Sequence, residues 1–235
     1  MSFANLGLVL IGKQGAGKGT QGAELSKHYD IPHISTGEMF RELVRLESPT
    51  GKELKQYIAK GELIPDETVI KAVKERLSFP DCAHGFILDG FPRTITQAEA
   101  LSDLGTPSKL DLVINLEIPT RLVLQRLTRR RVCSNCGANY SLDSPPKVPW
   151  ICDVCNGKVT KRVDDTEQVI QKRLHLYEDQ TRPLLQWYKT RGLLVDIDAS
   201  RDSNEVTRQI VNAIDQKLKD KKDSKVSNNY EDDIS

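Results

Sequence analysis

The sequence is short of several things, and each shortage excludes a kind of protein. Its 235 residues hold 34 Lys and Arg against 33 Asp and Glu, so it lacks the basic excess that proteins following a nucleic-acid backbone usually have. No apolar run approaches the roughly 20 residues of a membrane span. The N-terminal segment has no basic stretch ahead of its apolar run, as a signal peptide would. We therefore expect a cytoplasmic protein that binds neither membrane nor nucleic acid, and we expect a monomer because nothing in the sequence indicates an oligomer.

The five cysteines are too few and too closely paired for a secreted disulfide framework. Four of them form Cys133-x-x-Cys136 and Cys152-x-x-Cys155, with fifteen residues between the pairs. Two such pairs are typical of a tetrahedral Zn²⁺ site, and four thiolates leave no ligand position for water, so the metal would be structural. Cys82 stands apart, and we expect a buried, unreactive thiol there.

Short apolar runs predict the strands of a parallel sheet. Most of them are continuous rather than alternating, as in strands buried on both faces, and helical spacing of apolar residues fills most of the intervals between them. Strand and helix in alternation predict a doubly wound α/β fold with five parallel strands. The runs span 6–11, 32–35, 85–89, 110–116 and 193–198, and the helical stretches span 18–28, 67–77, 120–130 and 166–188.

Two regions interrupt this alternation. Residues 35–64 have the pattern of a helical insert without a strand, and residues 129–165 carry the paired cysteines in a segment too long for a simple loop. The polar, charged tail at 219–235 has the composition of a disordered segment. The expected core is then made of residues 1–34, 65–128 and 166–218.

A glycine-rich loop follows the first apolar run. Its glycines are Gly12, Gly15, Gly17 and Gly19. Glycines let successive backbone N–H groups curl around an anion, and the helix that begins near Lys18 points its positive end at the same place. Lys18 would add a mobile cation for the β- and γ-phosphates of a nucleotide. The pattern matches a P-loop as far as Lys18, but Thr20 stands one place after the usual Ser/Thr position.

Asp89 ends the apolar run at 85–89, where a predicted strand reaches its carboxyl end. In P-loop proteins an acid at such a strand end holds Mg²⁺, directly or through water. Arg93 follows four residues later, so one strand end would deliver both an acid and an arginine to the same crevice.

These motifs, in their order along the chain, resemble those of the adenylate kinase family, in the long-lid form whose lid holds zinc. The resemblance covers residues 6–215. Besides the glycine loop it rests on ISTGEMFRE (34–42), GELIPDE (61–67), LDGFPRTITQAEAL (88–101) and RVDDTEQVIQKRL (162–174). It implies a P-loop kinase core, an insert at 35–64 that binds the nucleoside monophosphate, and a lid at 129–165. The implied reaction is reversible phosphoryl transfer from ATP to AMP, giving two ADP, with Mg²⁺ bound and the lid closed.

The resemblance also assigns residues to each nucleotide. Those implied for ATP are Gly15, Ala16, Gly17, Lys18, Gly19, Thr20, Arg130, Asn139, Tyr140 and Arg201. Those implied for AMP are Thr36, Arg41, Glu62, Leu63, Ile64, Gly90, Phe91, Pro92, Arg93, Gln97, Arg162 and Arg173. The implied catalytic set is Lys18, Asp89, Arg93, Arg130, Arg162 and Arg173. Arg41 and Arg93 would hold the AMP phosphate, and Gln97 would read the adenine edge.

The remaining implied roles concern the lid hinge and two departures from the family pattern. Asp164 and Asp165 would pair with lid arginines in the closed state. Lys13 and Gln14 stand where a small residue and a proline are common, which implies a looser entrance to the loop. Arg129 replaces a glycine that is usual before the lid arginines.

Other functions stay open at this point. A relative with GTP as donor, or with another nucleoside monophosphate as acceptor, would carry most of the same motifs. A zinc-ribbon ATPase that binds nucleic acid is a more distant alternative, and the near-neutral charge and the lack of stacking aromatics beside the arginines count against it. Arginines outside the family motifs, Arg45, Arg76 and Arg126, are expected to be solvated charges, and the four histidines show no mutual ligand spacing.

Overall fold

A five-stranded parallel sheet forms the centre of the molecule, which confirms the α/β fold predicted from the apolar runs. The computed structural model describes residues 6–104, 109–162 and 164–232, with side chains as far as Asp220. The strands in chain order are β1 (Leu6–Gly12), β2 (His33–Ser35), β3 (Gly85–Asp89), β4 (Leu110–Glu117), β5 (Arg130–Cys133), β6 (Asn139–Ser141), β7 (Val159–Thr160) and β8 (Leu194–Asp198). The order across the large sheet is β2-β3-β1-β4-β8.

The helices cover both faces of this sheet. In chain order they are α1 (Lys18–Tyr29), α2 (Thr36–Arg45), α3 (Pro49–Lys60), α4 (Asp66–Leu77), α5 (Ile95–Asp103), α6 (Thr120–Arg129), α7 (Glu167–Leu176), α8 (Pro183–Lys189) and α9 (Ser203–Asp232). Alternate residues of β1 point to opposite faces, so Leu8 and Leu10 pack in one apolar layer and Val9 and Ile11 in the other. Both layers are close to fully buried, which leaves the carboxyl ends of the strands as the open edge of the sheet.

The single helix predicted over 166–188 is wrong in one respect, because it is interrupted by a π-helical turn at Tyr177–Thr181. Pro183 has no backbone N–H and its ring crowds the preceding turn, so regular α-helix cannot continue through it. The chain winds one wider turn instead, in which the Arg182 N–H donates to the Tyr177 carbonyl at 2.8 Å. Beyond this turn α8 buries Leu184 and Tyr188 in the core.

Two smaller units rise from the carboxyl edge of the sheet. The region expected as a helical insert contains α2 and α3, which pack against each other. The region with the paired cysteines contains a three-stranded antiparallel sheet in the order β6-β5-β7. Its small core consists of Cys133, Cys152 and Val159, so the cysteines supply most of what this unit buries.

The C-terminal helix α9 differs from the sequence expectation at its far end. Val206, Ile210 and Ile214 pack it against the core. The segment expected to be disordered, 219–235, continues this helix as far as Asp232, in a stretch without proline or glycine, and residues 233–235 lie outside the described residues. In the described ranges no helix is both long and apolar enough to cross a membrane.

Candidate active site

A cleft of about 750 Å³ lies between the open edge of the sheet, the α2–α3 insert and the cysteine-bearing unit. Almost every site residue expected from the sequence lines it. The glycine loop from Gly15 to Thr20 is at one end and the insert segment Glu62–Ile64 is at the other. Of the described residues that are expected to bind a nucleotide, only Thr36 and Phe91 are absent from the lining, and the four cysteines of the expected zinc site lie outside it. Phe91 is fully buried in the core, and the Thr36 hydroxyl donates to the Gly90 carbonyl at 3.0 Å from behind the cleft wall.

The glycine loop adopts the curled form that the sequence predicts. Gly15 and Gly17 have φ of 76° and 101°, in the left-handed region that other residues seldom adopt. Gly17 caps α1, so the first N–H groups of that helix face the cleft unpaired by any side-chain cap in the described chain. Lys18 curls back beneath the loop, where its Nζ donates to the carbonyls of Gly12 at 2.7 Å and Lys13 at 3.0 Å.

The surroundings of Lys18 disfavour its protonated form. The pKa of Lys18 is lowered to about 8, chiefly by burial; Asp89 acts in the opposite direction, and the positive charges of Arg93, Arg130 and Arg162 act in the same direction as burial. These couplings require the four cations to lie close together at one end of the glycine loop. An incoming anion would relieve the repulsion among them.

Asp89 lies opposite Lys18 at the end of β3. Burial raises its pKa, but His33 and Lys18 outweigh that effect and hold the carboxyl below its usual range, so it is ionised. The His33 Nε2 atom is 3.7 Å from Asp89 Oδ2, which is too long for a hydrogen bond, so His33 attracts the carboxylate by its charge only when its ring is protonated. His33 reaches this position because Ser35 of β2 pairs with Asp89 of β3 in the parallel sheet. His33 is part of no ligand pattern in the sequence, and the strand pairing brings it to the site.

Carboxylates pair with most of the arginines expected to bind phosphate. Arg130 makes a two-point ion pair with Asp165, in which Nε to Oδ2 is 2.8 Å. Asp164 accepts from Arg162 Nε at 2.7 Å and from Arg173 Nη2 at 2.5 Å. This agrees with the expectation that both aspartates pair with lid arginines.

A further carboxylate, Glu38, was missed by the sequence reasoning. It binds Arg41 at 2.5 Å from its position three residues earlier on α2, a spacing that could have indicated the pair. Burial raises the pKa of Glu38, and Arg162 and Arg130 partly offset that effect. Glu38 therefore shares the electrostatic environment of the cleft arginines.

Arg93 differs from the other arginines of the cleft. Among the residues that the structure describes it is in no ion pair, and its Nε donates to the Gly90 carbonyl at 2.9 Å. Its peptide N–H donates to Gln97 Oε1 at 2.8 Å, and its carbonyl accepts from the Thr181 hydroxyl at 3.1 Å. The backbone of Arg93 is thus fixed on both sides while its charge has no carboxylate partner in the described chain.

Gln97 is buried and already engaged. Besides accepting from Arg93, it donates from Nε2 to Asp66 Oδ1 at 2.7 Å, and the other oxygen of Asp66 accepts from Thr94. Asp66, at the start of α4, therefore sets which way the Gln97 amide points. A comparable contact ties the insert to α7, where Lys172 donates to Glu62 at 2.8 Å.

The residues expected around ATP differ in whether their polar groups already have partners. Asn139 reaches over the loop, since a Cβ added to Gly19 would lie 3.2 Å from its amide nitrogen. Tyr140 lines the cleft with its ring, but its hydroxyl donates to Cys152 Sγ at 3.3 Å and accepts from the Asp153 N–H at 2.8 Å. Arg201 is exposed and pairs with Asp198 and Glu205.

The three consecutive arginines 129–131 each have a partner, and that of Arg130 is Asp165. Arg129 makes a two-point pair with Asp143, with Nε to Oδ2 at 2.7 Å. Arg131 donates to the Arg130 carbonyl at 2.7 Å. The arginines expected to be solvated are engaged instead: Arg126 lines the cleft, Arg76 pairs with Asp81 at 2.6 Å, and Arg45 donates to the Ser134 carbonyl, so that expectation was wrong.

The four paired cysteines come together at one point. Their sulfur atoms all lie within 4.8 Å of one another, with Cys133 to Cys155 at 3.5 Å and Cys136 to Cys152 at 3.6 Å. A tetrahedron with metal–sulfur bonds of about 2.3 Å has edges of about 3.8 Å, so the donor set fits Zn²⁺. Backbone N–H groups of Asn135 and Val154 point at the sulfurs, as thiolate ligands require. Cys82 is buried elsewhere, as expected.

The entrance to the glycine loop is braced, where the sequence implied a looser one. Gln14 Nε2 donates to the Ile170 carbonyl of α7 at 2.7 Å. Lys13 Nζ pairs with Glu178 at 3.0 Å and with the Thr120 hydroxyl at 3.1 Å. Glu178 belongs to the π-helical turn, so both side chains tie the loop to the α7–α8 segment. Partners more than 100 residues away are invisible to local sequence patterns.

Similarity to known proteins covers nearly the whole chain. The family model described as adenylate kinase matches residues 10–193. An adenylate kinase of Caldicellulosiruptor bescii is 48% identical over 212 residues, which are 88% of this chain and 98% of the relative. The adenylate kinase of Carboxydothermus hydrogenoformans is 49% identical over 212 residues, with the same coverage. That of Staphylococcus epidermidis is 46% identical over 213 residues, which are 89% of this chain and 99% of the relative.

The brace on the loop can be tested by Gln14→Ala. Losing a hydrogen bond of this kind costs about 1 kcal/mol, so local opening of residues 12–17 should become about five-fold more frequent. Amide hydrogen exchange followed by mass spectrometry measures this opening. The matched control is Gln216→Ala, which removes an exposed glutamine that donates to Asp220 within α9. Equal exchange of the loop in both variants would contradict the brace.

Proposed function

The chain belongs to the adenylate kinase family, enzymes of phosphoryl transfer between ATP and AMP, and from this we propose where its cleft binds each nucleotide and how transfer occurs. ATP binds with its phosphates in the loop Gly15–Thr20, under Asn139 and Tyr140 and beside Arg201. AMP binds at the opposite end, against the insert residues Glu62–Ile64 and the segment Gly90–Arg93. The transferring phosphoryl group lies where the two ends meet.

The observation that carries this proposal is the pair of cations without carboxylate partners. In the described part of the chain the Lys18 ammonium is bonded only to backbone carbonyls and the Arg93 guanidinium only to the Gly90 carbonyl, whereas Arg130, Arg162 and Arg173 are each in an ion pair. The two charges are close enough for Arg93 to lower the pKa of Lys18. Two cations that are in no ion pair, and whose charges Asp89 offsets only in part, suit a phosphoryl group in transit at the junction of two nucleotide lobes.

Phosphoryl transfer requires that the two nucleotides are positioned and their charge is stabilised, and it does not depend on a general base. An oxygen of the AMP phosphate attacks the γ-phosphorus of ATP while the bond from that phosphorus to the β–γ bridging oxygen breaks. The bridging oxygen leaves with the donor, which becomes ADP, and the acceptor becomes the second ADP. Lys18, Arg93, Arg130, Arg162 and Arg173 hold the phosphates in line and stabilise the charge on the equatorial oxygens.

Closing of the lid completes the site. Asp164 and Asp165 lie where the lid joins α7, and they hold Arg162, Arg173 and Arg130 in the cleft. Phosphates compete with these carboxylates for the same guanidinium groups, so nucleotide binding shifts the arginines from one partner to the other. Since the arginines come from separate segments, the site excludes water only when those segments are together.

Two metal ions fit this arrangement. Mg²⁺ bound with ATP would neutralise charge on the β- and γ-phosphates, and Asp89, ionised beside Lys18, is the residue that would hold it, directly or through water. Zn²⁺ would be held by Cys133, Cys136, Cys152 and Cys155 and would only order the lid, because the four thiolates complete its coordination.

The acceptor site favours adenine more than the donor site does. Gln97 presents a fixed amide whose orientation depends on Asp66, and such a group discriminates between bases by hydrogen bonds. Around ATP, Arg201 is exposed and the Tyr140 hydroxyl is engaged with the cysteine cluster, so the groups that would read the base are few. We propose ATP as donor, with GTP as the alternative to be compared directly.

The enzyme assay tests the function and the role of Arg93 together. ADP formation should require both ATP and AMP, and Arg93→Ala should lower kcat by about 10³-fold, as loss of an arginine at a transferring phosphoryl group does. Circular dichroism should show an unchanged fold, because the backbone of Arg93 keeps its bonds. Arg121→Ala, an exposed arginine of α6 outside the cleft, is the control and should match the parent. ADP formation without AMP would refute the function, and full turnover by the Arg93 variant would refute the assignment.

The lowered pKa of Lys18 makes ATP affinity depend on pH. Below pH 8 the free enzyme carries the Lys18 charge, and above it the charge is lost, so the Kd for ATP should rise by up to about ten-fold per pH unit between pH 8 and 10. Calorimetry at pH 8.5 in buffers of different ionisation enthalpy should show proton uptake on binding. Lys18→Arg keeps its charge throughout and should lose this dependence. The same slope in both proteins would assign it to another group.

Zinc content can be tested with paired cysteine variants. The purified protein should hold about one zinc, and Cys136→Ser should lose the metal and melt about 5 °C lower, because the lid has almost no core without it. Cys82→Ser changes a buried thiol outside the cluster and should keep the zinc. Elemental analysis and thermal melting give both readouts. A metal-free parent with the same melting temperature in chelator would reject the zinc site.

A further inference from the structure

The insert and the lid touch through a contact that no nucleotide role explains. Arg45, the last residue of α2, donates from Nη1 to the backbone carbonyls of Ser134 at 2.8 Å and Asn135 at 2.5 Å. Those two residues are the x-x of the turn Cys133-x-x-Cys136. Arg45 lies outside the lining of the cleft as far as the chain is described, and Glu42 holds its other nitrogen. Arg45 of the α2–α3 insert therefore hydrogen-bonds to the cysteine turn of the lid.

The cysteine turn is a rigid acceptor for this arginine. The N–H groups of Asn135 and Cys136 point toward Cys133 Sγ, at 3.4 and 3.5 Å, and the Ser134 N–H donates to the Lys158 carbonyl at 2.8 Å. With its N–H groups committed inward, the turn directs the Ser134 and Asn135 carbonyls to one guanidinium. Hydrogen bonds to a charged donor are stronger than those between neutral groups.

Three residues on one face of α2 contact the lid side. Glu38, Arg41 and Arg45 are spaced by three and four residues, so they lie on the same side of the helix. Arg41 Nη1 is 4.0 Å from Asp164, next to the lid hinge. Glu38 lies against Gly137, where an added Cβ would be 3.0 Å from Glu38 Oε2. Glu38 and Arg41 also belong to the cleft, whereas Arg45 serves the contact alone.

We propose that Arg45 is a positioning residue that couples the two nucleotide sites by joining the insert to the lid when both are closed. This rests on the closure proposed above. In this proposal ATP favours closing of the lid and AMP favours closing of the insert, so the two nucleotides together stabilise the arrangement in which the Arg45 contact is made. The free energy of the Arg45 contact then strengthens the binding of one nucleotide when the other is bound. By thermodynamic linkage this coupling energy is the same for both nucleotides.

The test is a binding cycle on the full chain with AMP and an ATP analogue whose β–γ bridge is nitrogen. In the parent, each ligand should bind more tightly when the other is present. In Arg45→Ala both binary Kd values should match the parent, while the enhancement in the ternary complex falls by about two- to five-fold, the effect of one partly exposed charged hydrogen bond. The loss should be the same whichever ligand is added first.

Two control variants separate this role from a local one. Arg208→Ala removes an exposed arginine of α9 and should leave the cycle unchanged. Ser134→Ala keeps the backbone acceptor and should also match the parent. Weaker AMP binding in the binary complex with unchanged coupling would mean that Arg45 only supports the insert, and it would overturn the proposal, as would an unchanged cycle. A parent that binds neither ligand would refute the proposed function itself.

Discussion

A concentration of positive charge that has to be balanced is the constraint on which this structure depends. Lys18, Arg93, Arg130, Arg162 and Arg173 converge on one cleft, and the couplings to Lys18 show how strongly some of them repel one another. Carboxylates balance part of this charge: Asp164 and Asp165 bind the lid-side arginines, Glu38 binds Arg41, and Asp89 faces Lys18. Lys18 and Arg93 are in no ion pair within the described chain, and Asp89 offsets their charges only in part. The free protein is therefore stable enough to fold around its site while keeping a net attraction for phosphate.

The charged residues of the cleft meet because the segments that carry them lie at one edge of the large sheet. The glycine loop follows β1, Asp89 ends β3, and both strands are neighbours at the centre of the sheet. The insert follows β2 and the lid follows α6, so both leave from that edge and can return over it. The segment from α7 through the π-helical turn to α8 then touches every part of the site: Ile170 holds Gln14, Arg173 enters the cleft, and Thr181 holds the Arg93 backbone.

The sequence predicted what depends on local order, and it failed where partners are distant. The glycine loop, the strand ending in Asp89 and the paired cysteines each lie within a short segment whose spacing carries the chemistry, and they were read correctly as structure. Arg45 was expected to be solvated because its acceptors are backbone carbonyls 89 and 90 residues away. The brace from Lys13 and Gln14 depends on residues of α7 and the π-helical turn in the same way. The interrupted helix at 177–181 was missed because apolar spacing does not register one extra residue per turn.

The extra residue of the π-helical turn constrains the number of residues between α7 and α8. An α-helix advances about 100° per residue, so deleting any residue of Tyr177–Thr181 would rotate everything beyond it by that angle about the helix axis. Leu184 and Tyr188, both fully buried, would leave the core, and Thr181 would turn away from Arg93. A deletion at this point would therefore damage the core and the site at once. We infer that relatives in which a residue at position 181 contacts the Arg93 backbone must also keep the same number of residues between Arg173 and Leu184.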